Sequence, residues 1–347
     1  MFQAFLILLH AMLKLFRLFQ AVVENEPSVV MALVSSDRGL VSCTDSQGWT
    51  AILVAVKCGH RDICDILLSH GAQVTSTTPD GSTVLHLIGF DDAELCETLL
   101  AHGAQVNAVL TDGTLLTPLH NAACFGHNKL IDILLQHRAN PHAEDDEGWT
   151  PLHHACQNGY IDCVQTLCMA GVDITAVDVD GSAPIHYAAD GNHSNIVMAL
   201  VDRGCDMNMV DSEYSRTPLM SAARQGGVET VKVLLNKGAD PDILDVNGET
   251  ALSRAIKAED SPTVELLAQM TNTSLRDSLS ALARSSMSIS PIVESFVARC
   301  ARDSEAVVSG LKTASLFAHI TILHLLTVYG NTDNLPADVL DNLLGVP

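Results

Sequence analysis

A short pattern returns seven times along this chain at an almost fixed interval, and that period restricts the fold more than anything else in the sequence. The segments Thr50-Ala-Ile-Leu, Thr83-Val-Leu-His, Thr117-Pro-Leu-His, Thr150-Pro-Leu-His, Ala183-Pro-Ile-His, Thr217-Pro-Leu-Met and Thr250-Ala-Leu-Ser begin 33, 34, 33, 33, 34 and 33 residues apart. One unit of this length cannot bury its own apolar faces. Copies must stack, and each pair of neighbours shares a core.

Each column has a physical reason. Thr is suited to cap a helix by accepting a backbone N–H that has no partner within the helix. Pro118, Pro151, Pro184 and Pro218 follow where a missing N–H costs nothing. Five residues after the Thr stands Ala55, Ala122, Ala155, Ala188, Ala222 or Ala255, small enough for close helix approach. Gly59, Gly126, Gly159 and Gly226 then predict a left-handed stop. A second helix carries an apolar stripe such as Ile63, Ile66, Leu67 and Leu68. Gly71, Gly103, Gly171, Gly204 and Gly238 close it before polar turns such as Asp145-Asp-Glu-Gly148 and Asp178-Val-Asp-Gly181. Those turns are expected to project as hairpin-like fingers.

The period and the T-P-L-H-x-A pattern resemble the ankyrin repeat, over about residues 45–270 without a gap. The resemblance implies an all-α solenoid of stacked helix-turn-helix units with β-hairpin-like fingers, used to bind other proteins. Residues 1–44 are expected to form an apolar N-terminal helix and a worn capping repeat, with Leu18 to Ala21 in its first helix and Val29 to Val34 in its second. Residues 271–347 read as degenerate repeats, because Thr321-Ile-Leu-His324 and Gly330 restore the helix-start column. A separate helical module stays open for them. Three departures stand out: Ile88 and Phe90-Asp-Asp break the second repeat, Arg138 replaces a closing glycine, and an extra residue lengthens the fingers of Gly113 and Tyr214. A bent or splayed first helix is expected in the second repeat.

Aromatic residues are only 4% of the chain, so the core is aliphatic, as short close-packed helices require. A net charge of −22 argues against nucleic acid and favours a protein partner with a basic or neutral segment. Ten cysteines, several inside apolar helical patterns, read as buried hydrophobes in a reducing, cytoplasmic setting. The first 23 residues carry no acid and are mostly apolar. Lys14 and Arg17 follow the apolar run, which does not suit a signal peptide, and the uncharged stretch is too short to span a bilayer. A helix packed on the first repeat is expected, and targeting or membrane association through residues 1–23 is the alternative.

No catalytic motif is present, neither a P-loop nor G-x-S-x-G nor H-E-x-x-H, so the chain is read as a non-enzyme with no cofactor. His86, His120, His153 and His186 recur once per repeat, whereas a metal needs ligands converging on one point. In the ankyrin family the equivalent His ties neighbouring turns together. The family also uses first helices and fingers as a concave binding surface. Carried onto this chain, that use nominates Trp49, Lys57, Phe90, Asn121, Phe125, Trp149, His154, Gln157, Tyr187, Asp190, Tyr214, Arg224 and Arg254 as partner-binding residues. Asn107 and Asn208 occupy the finger position where ankyrin proteins are substrates of an asparaginyl hydroxylase, beside the simpler role of turn-forming Asn. A scaffold or adaptor is the function expected. The alternative is a substrate-recognition subunit of a ubiquitin ligase, although the Leu-Cys and Ile-Arg pattern of a SOCS box is not found in the tail.

Overall fold

The computed structural model describes residues 2–89 and 91–270, with side chains from residue 9 onward. These residues hold fifteen α-helices and no sheet, and they fall into two units that divide between Asp173 and Ile174. The first unit contains α1 (Phe2–Val23), α2 (Pro27–Ser36), α3 (Ala51–Cys58), α4 (Arg61–Ser69), α5 (Ala93–Ala101), α6 (Pro118–Phe125), α7 (Asn128–Gln136), α8 (Pro151–Gln157) and α9 (Ile161–Met169). The second contains α10 (Pro184–Asp190), α11 (Ser194–Val201), α12 (Pro218–Arg224), α13 (Val228–Lys237), α14 (Ala251–Lys257) and α15 (Ser261–Met270).

The helices form where the columns predict. Thr217 accepts the Met220 N–H at 3.3 Å, and Thr250 accepts that of Ser253 at 3.3 Å. Gly59, Gly126, Gly159 and Gly226 all take positive φ, between 69° and 80°. At Gly126 a side chain is doubly excluded, because an added Cβ would lie 2.7 Å from the Tyr160 ring.

Packing follows two rows in each unit. In the first unit α1 packs on α3 and α6 on α8, while α2 packs on α4 and α5, α7 and α9 pack in sequence. In the second unit α10, α12 and α14 form one row, and α13 packs on both α11 and α15. The Ala column is buried at every repeat that has it. Second helices bury equivalent apolar sets, such as Ile63, Cys64 and Leu67 or Val231 and Leu234. Removing one such Leu side chain would cost about 2–5 kcal/mol.

The second repeat departs furthest. Residues 84–87 form a turn, and no first helix is present among the described residues there. Nine residues separate Thr83 from Asp92, where ten separate Thr117 from His127. Too little chain is left for a helix and a left-handed stop, and Ile88 replaces the small residue that lets helices close up. The row is therefore interrupted rather than bent. The following finger makes up the length: its closing bond runs from Leu110 N–H to Leu116 O, against Asp145 N–H to Trp149 O in a regular finger. The 34-residue spacing thus hides one residue lost and two gained. In the Tyr214 finger the bond runs from Asp211 N–H to Arg216 O, one residue longer than regular.

Arg138 takes the left-handed φ of 67° that glycine adopts elsewhere in its column. At the N-terminus, Leu18, Ala21 and Val22 of α1 are buried, whereas Leu9, Met12, Leu13 and Phe16 are exposed. Among the described side chains of that helix, full burial begins at Leu18. Among the described residues no helix is long and apolar enough to cross a membrane.

Candidate interaction surface

One aspartate organises most fingers, with Thr78 Oγ1 accepting the Ser82 N–H at 2.9 Å in its place in one of them. Asp145 accepts the N–H groups of Glu147 and Trp149 at 3.1 and 2.8 Å, and Asp178 those of Asp180 and Ser182 at 3.0 and 2.8 Å. Asp211 and Asp245 do the same in their fingers. Burying a carboxylate costs free energy unless it is fully partnered, and each second oxygen has a partner too. His154 Nε2 lies 2.9 Å from Asp145, the Tyr187 hydroxyl donates to Asp178, Arg216 reaches Asp211 at 2.7 Å, and Arg254 donates to Asp245. Burial pushes the Asp211 and Asp245 carboxyls up, but backbone and guanidinium donors outweigh it and hold both below the usual carboxylate range.

The His column performs a second clamp. Thr83, Thr117 and Ala183 donate their N–H to Nδ1 of His86, His120 and His186 at 3.2, 3.1 and 3.1 Å. Nδ1 is thereby the acceptor, so the proton sits on Nε2. Nε2 then donates to the next finger, His86 to Leu116 O at 3.1 Å and His120 to Trp149 O at 3.0 Å. Burial, with repulsion from His154 second, pushes the His120 imidazole down to about 4. Burial also lowers His86 and His186.

Against this framework the nominated residues separate into two kinds. His154, Tyr187 and Arg254 turn onto the finger aspartates and are only partly exposed. Asn121 likewise donates to His86 O at 3.2 Å, and Gln157 is half-buried. Phe125 is 63% exposed, and Tyr214 is exposed beneath the Arg216 guanidinium, 4.3 Å from its ring centroid. Glu213 raises the Tyr214 phenol by hydrogen bonding. Lys57 sits 4.6 Å over the half-buried Trp49, the Trp149 ring lies tilted with its centroid 5.1 Å from that of His154, and Arg224 pairs with Asp190 at 2.6 Å. Phe90 lies outside the described residues, as does the tail from residue 271.

Asn107 and Asn208 clasp the following repeat. Asn107 accepts from Asn140 N–H at 2.7 Å and donates to Arg138 O at 3.1 Å, and Asn208 accepts from Asp240 N–H at 2.9 Å. The finger aspartates were open to sequence reasoning and were missed as a column. The signal is an Asp five residues before Thr50, Thr150, Ala183 and Thr250, and six before Thr217 in the lengthened finger.

Reactive chemistry has little to work with among the described residues. Burial pushes the thiols of Cys64, Cys96 and Cys163 up to about 12 and that of Cys205 up to about 11, which keeps them protonated and poorly nucleophilic. No three His, Cys, Asp or Glu side chains there are grouped to hold a metal. A cleft of about 750 Å³ between fingers of the first unit is lined by residues such as Thr75, Thr77, Pro79, Asn107 and Thr111, with no ionisable side chain among its walls.

The family model described as ankyrin repeats (3 copies) matches residues 18–109, 88–178 and 185–277. The crystal structure of the human ASB11 ankyrin repeat domain is similar at 26% identity and a TM-score of 0.60, over 65% of this chain and 99% of that one.

Proposed function

This chain belongs to the ankyrin-repeat family, whose repeats are general protein-interaction modules, and we propose on that premise that it is a scaffold or adaptor holding a protein partner on its first-helix and finger side chains. One observation carries the proposal. The finger aspartates Asp145, Asp178, Asp211 and Asp245 and the histidines His86, His120 and His186 are partnered within the repeats, while large side chains such as Phe125 and Tyr214 stand exposed on the helix ends and fingers. Exposed aromatics on a rigid frame are the residues that most often dominate interface energy. The acidic balance of the chain suits a basic or neutral partner segment, and cysteines buried as small hydrophobes, such as Cys64, Cys96 and Cys163, suit a reducing, cytoplasmic setting.

The test is capture of partners from cell extract on the full chain, followed by affinity measurement with each purified partner. Phe125→Ala combined with Tyr214→Ala is expected to weaken binding at least tenfold, about 1.4 kcal/mol. Unchanged affinity, together with loss on replacing the exposed Met169 of α9, would move the surface to the second helices. The ligase alternative turns on residues 271–347, and co-purification of a cullin with the full chain is the result that would favour it.

A further inference from the structure

Three successive fingers of the second unit expose aliphatic side chains beside their buried aspartates. Val177 and Val179 flank Asp178, Val210 precedes Asp211, and Leu244 and Val246 flank Asp245; all five are between 44% and 72% exposed. Neighbouring fingers are joined by backbone bonds, Ser212 N–H to Asp180 O at 2.9 Å and Val246 N–H to Tyr214 O at 3.0 Å. The aliphatic positions therefore form one ridge that runs into Tyr214. In the first unit the residues preceding Asp45, Thr78 and Asp145 are Thr44, Thr77 and Glu144, and the exposed Val109 before Leu110 stands between them, so no row of successive aliphatic fingers forms there.

Charge indicates what it fits. The described part of this unit has seven Lys and Arg residues. Six are held in ion pairs, from Arg216 with Asp211 to Lys257 with Glu249, and Arg203 donates to the Ala199 carbonyl. Asp180 and Glu213, exposed on the same fingers, have no ion-pair partner among the described residues. An apolar ridge with uncompensated negative charge disfavours nucleic acid and, in a chain of net charge −22, a second copy. We infer that the ridge of Val177, Val210 and Leu244 docks a partner segment that interleaves aliphatic side chains with Lys or Arg. This rests on the scaffold function proposed above and names the chemistry of its partner.

The test selects a phage library of random 12-residue peptides on the full chain. Enriched peptides are expected to combine aliphatic residues with Lys or Arg. The best one, made synthetically, should bind the Val177→Ser/Val210→Ser/Leu244→Ser variant at least tenfold more weakly and lose affinity as salt rises, with the melting temperature of the variant unchanged. Enrichment of acidic peptides, or no enrichment, overturns the inference. So does a lower melting temperature in the variant, which would mean that the chain itself, residues 271–347 included, covers the ridge. Sedimentation of the wild type as a dimer that the variant abolishes would assign the ridge to a second copy, also against the inference. Peptides that bind both proteins equally but weaken with Phe125→Ala overturn the ridge alone and leave the scaffold function standing.

Discussion

At His120 one imidazole closes its own helix and clamps the next finger, and it can do so only while neutral, since Nδ1 must stay an acceptor. Its pKa lies near 4 in the folded chain and near 6.5 unfolded. Below about pH 6.5 the unfolded chain therefore takes up a proton that the folded chain refuses, so stability is complete above that value and falls as pH drops toward 4. The loss from this residue is roughly 3 kcal/mol at the acid end. His86 and His186 shift in the same direction. Urea unfolding at pH 7 and pH 5 should show a drop in wild-type stability and a smaller drop in His120→Gln, itself less stable at pH 7; equal drops would remove His120 as a cause. Arg138 makes the opposite case, a side chain in a conformation that favours glycine. Arg138→Gly should raise the urea midpoint, by about 0.5–1 kcal/mol of stability.

Among elements, the repeat period and the column chemistry made the helices legible from sequence, because cap, small residue and glycine all recur at fixed places. The second repeat was legible as a departure but not as the loss of a helix. Its 34-residue spacing looks like a simple insertion, and only the backbone bond from Leu110 to Leu116 shows a deletion compensated by a longer finger. Hydrogen exchange should reflect this: amides of residues 87–89 should exchange faster than those of the equivalent turn of α6 at residues 121–123. Equal protection would place a helix there. The exposed side chains were less legible, because exposure depends on what each side chain finds nearby. Tyr187 reads as a free aromatic in sequence, yet its hydroxyl partners the buried Asp178. Tyr187→Ala should lower stability by about 1–3 kcal/mol in thermal or urea unfolding, since it removes a donor from a buried carboxylate. An unchanged unfolding curve would free Tyr187 for a binding role alone.

For the whole molecule, stacking makes stability a sum over neighbours, and the scaffold function proposed above assigns framework contacts and binding contacts to different residues of the same repeat. That division is the central claim. It predicts that surface variants change affinity without changing stability, and that framework variants do the reverse at the level of the fold. Affinity for a captured protein partner, measured by calorimetry alongside unfolding of the same preparations, tests it most directly. With Phe125→Ala/Tyr214→Ala the dissociation constant should rise at least tenfold while the urea midpoint holds. An unchanged dissociation constant, or a weakened one accompanied by an equal loss of stability, would contradict the account.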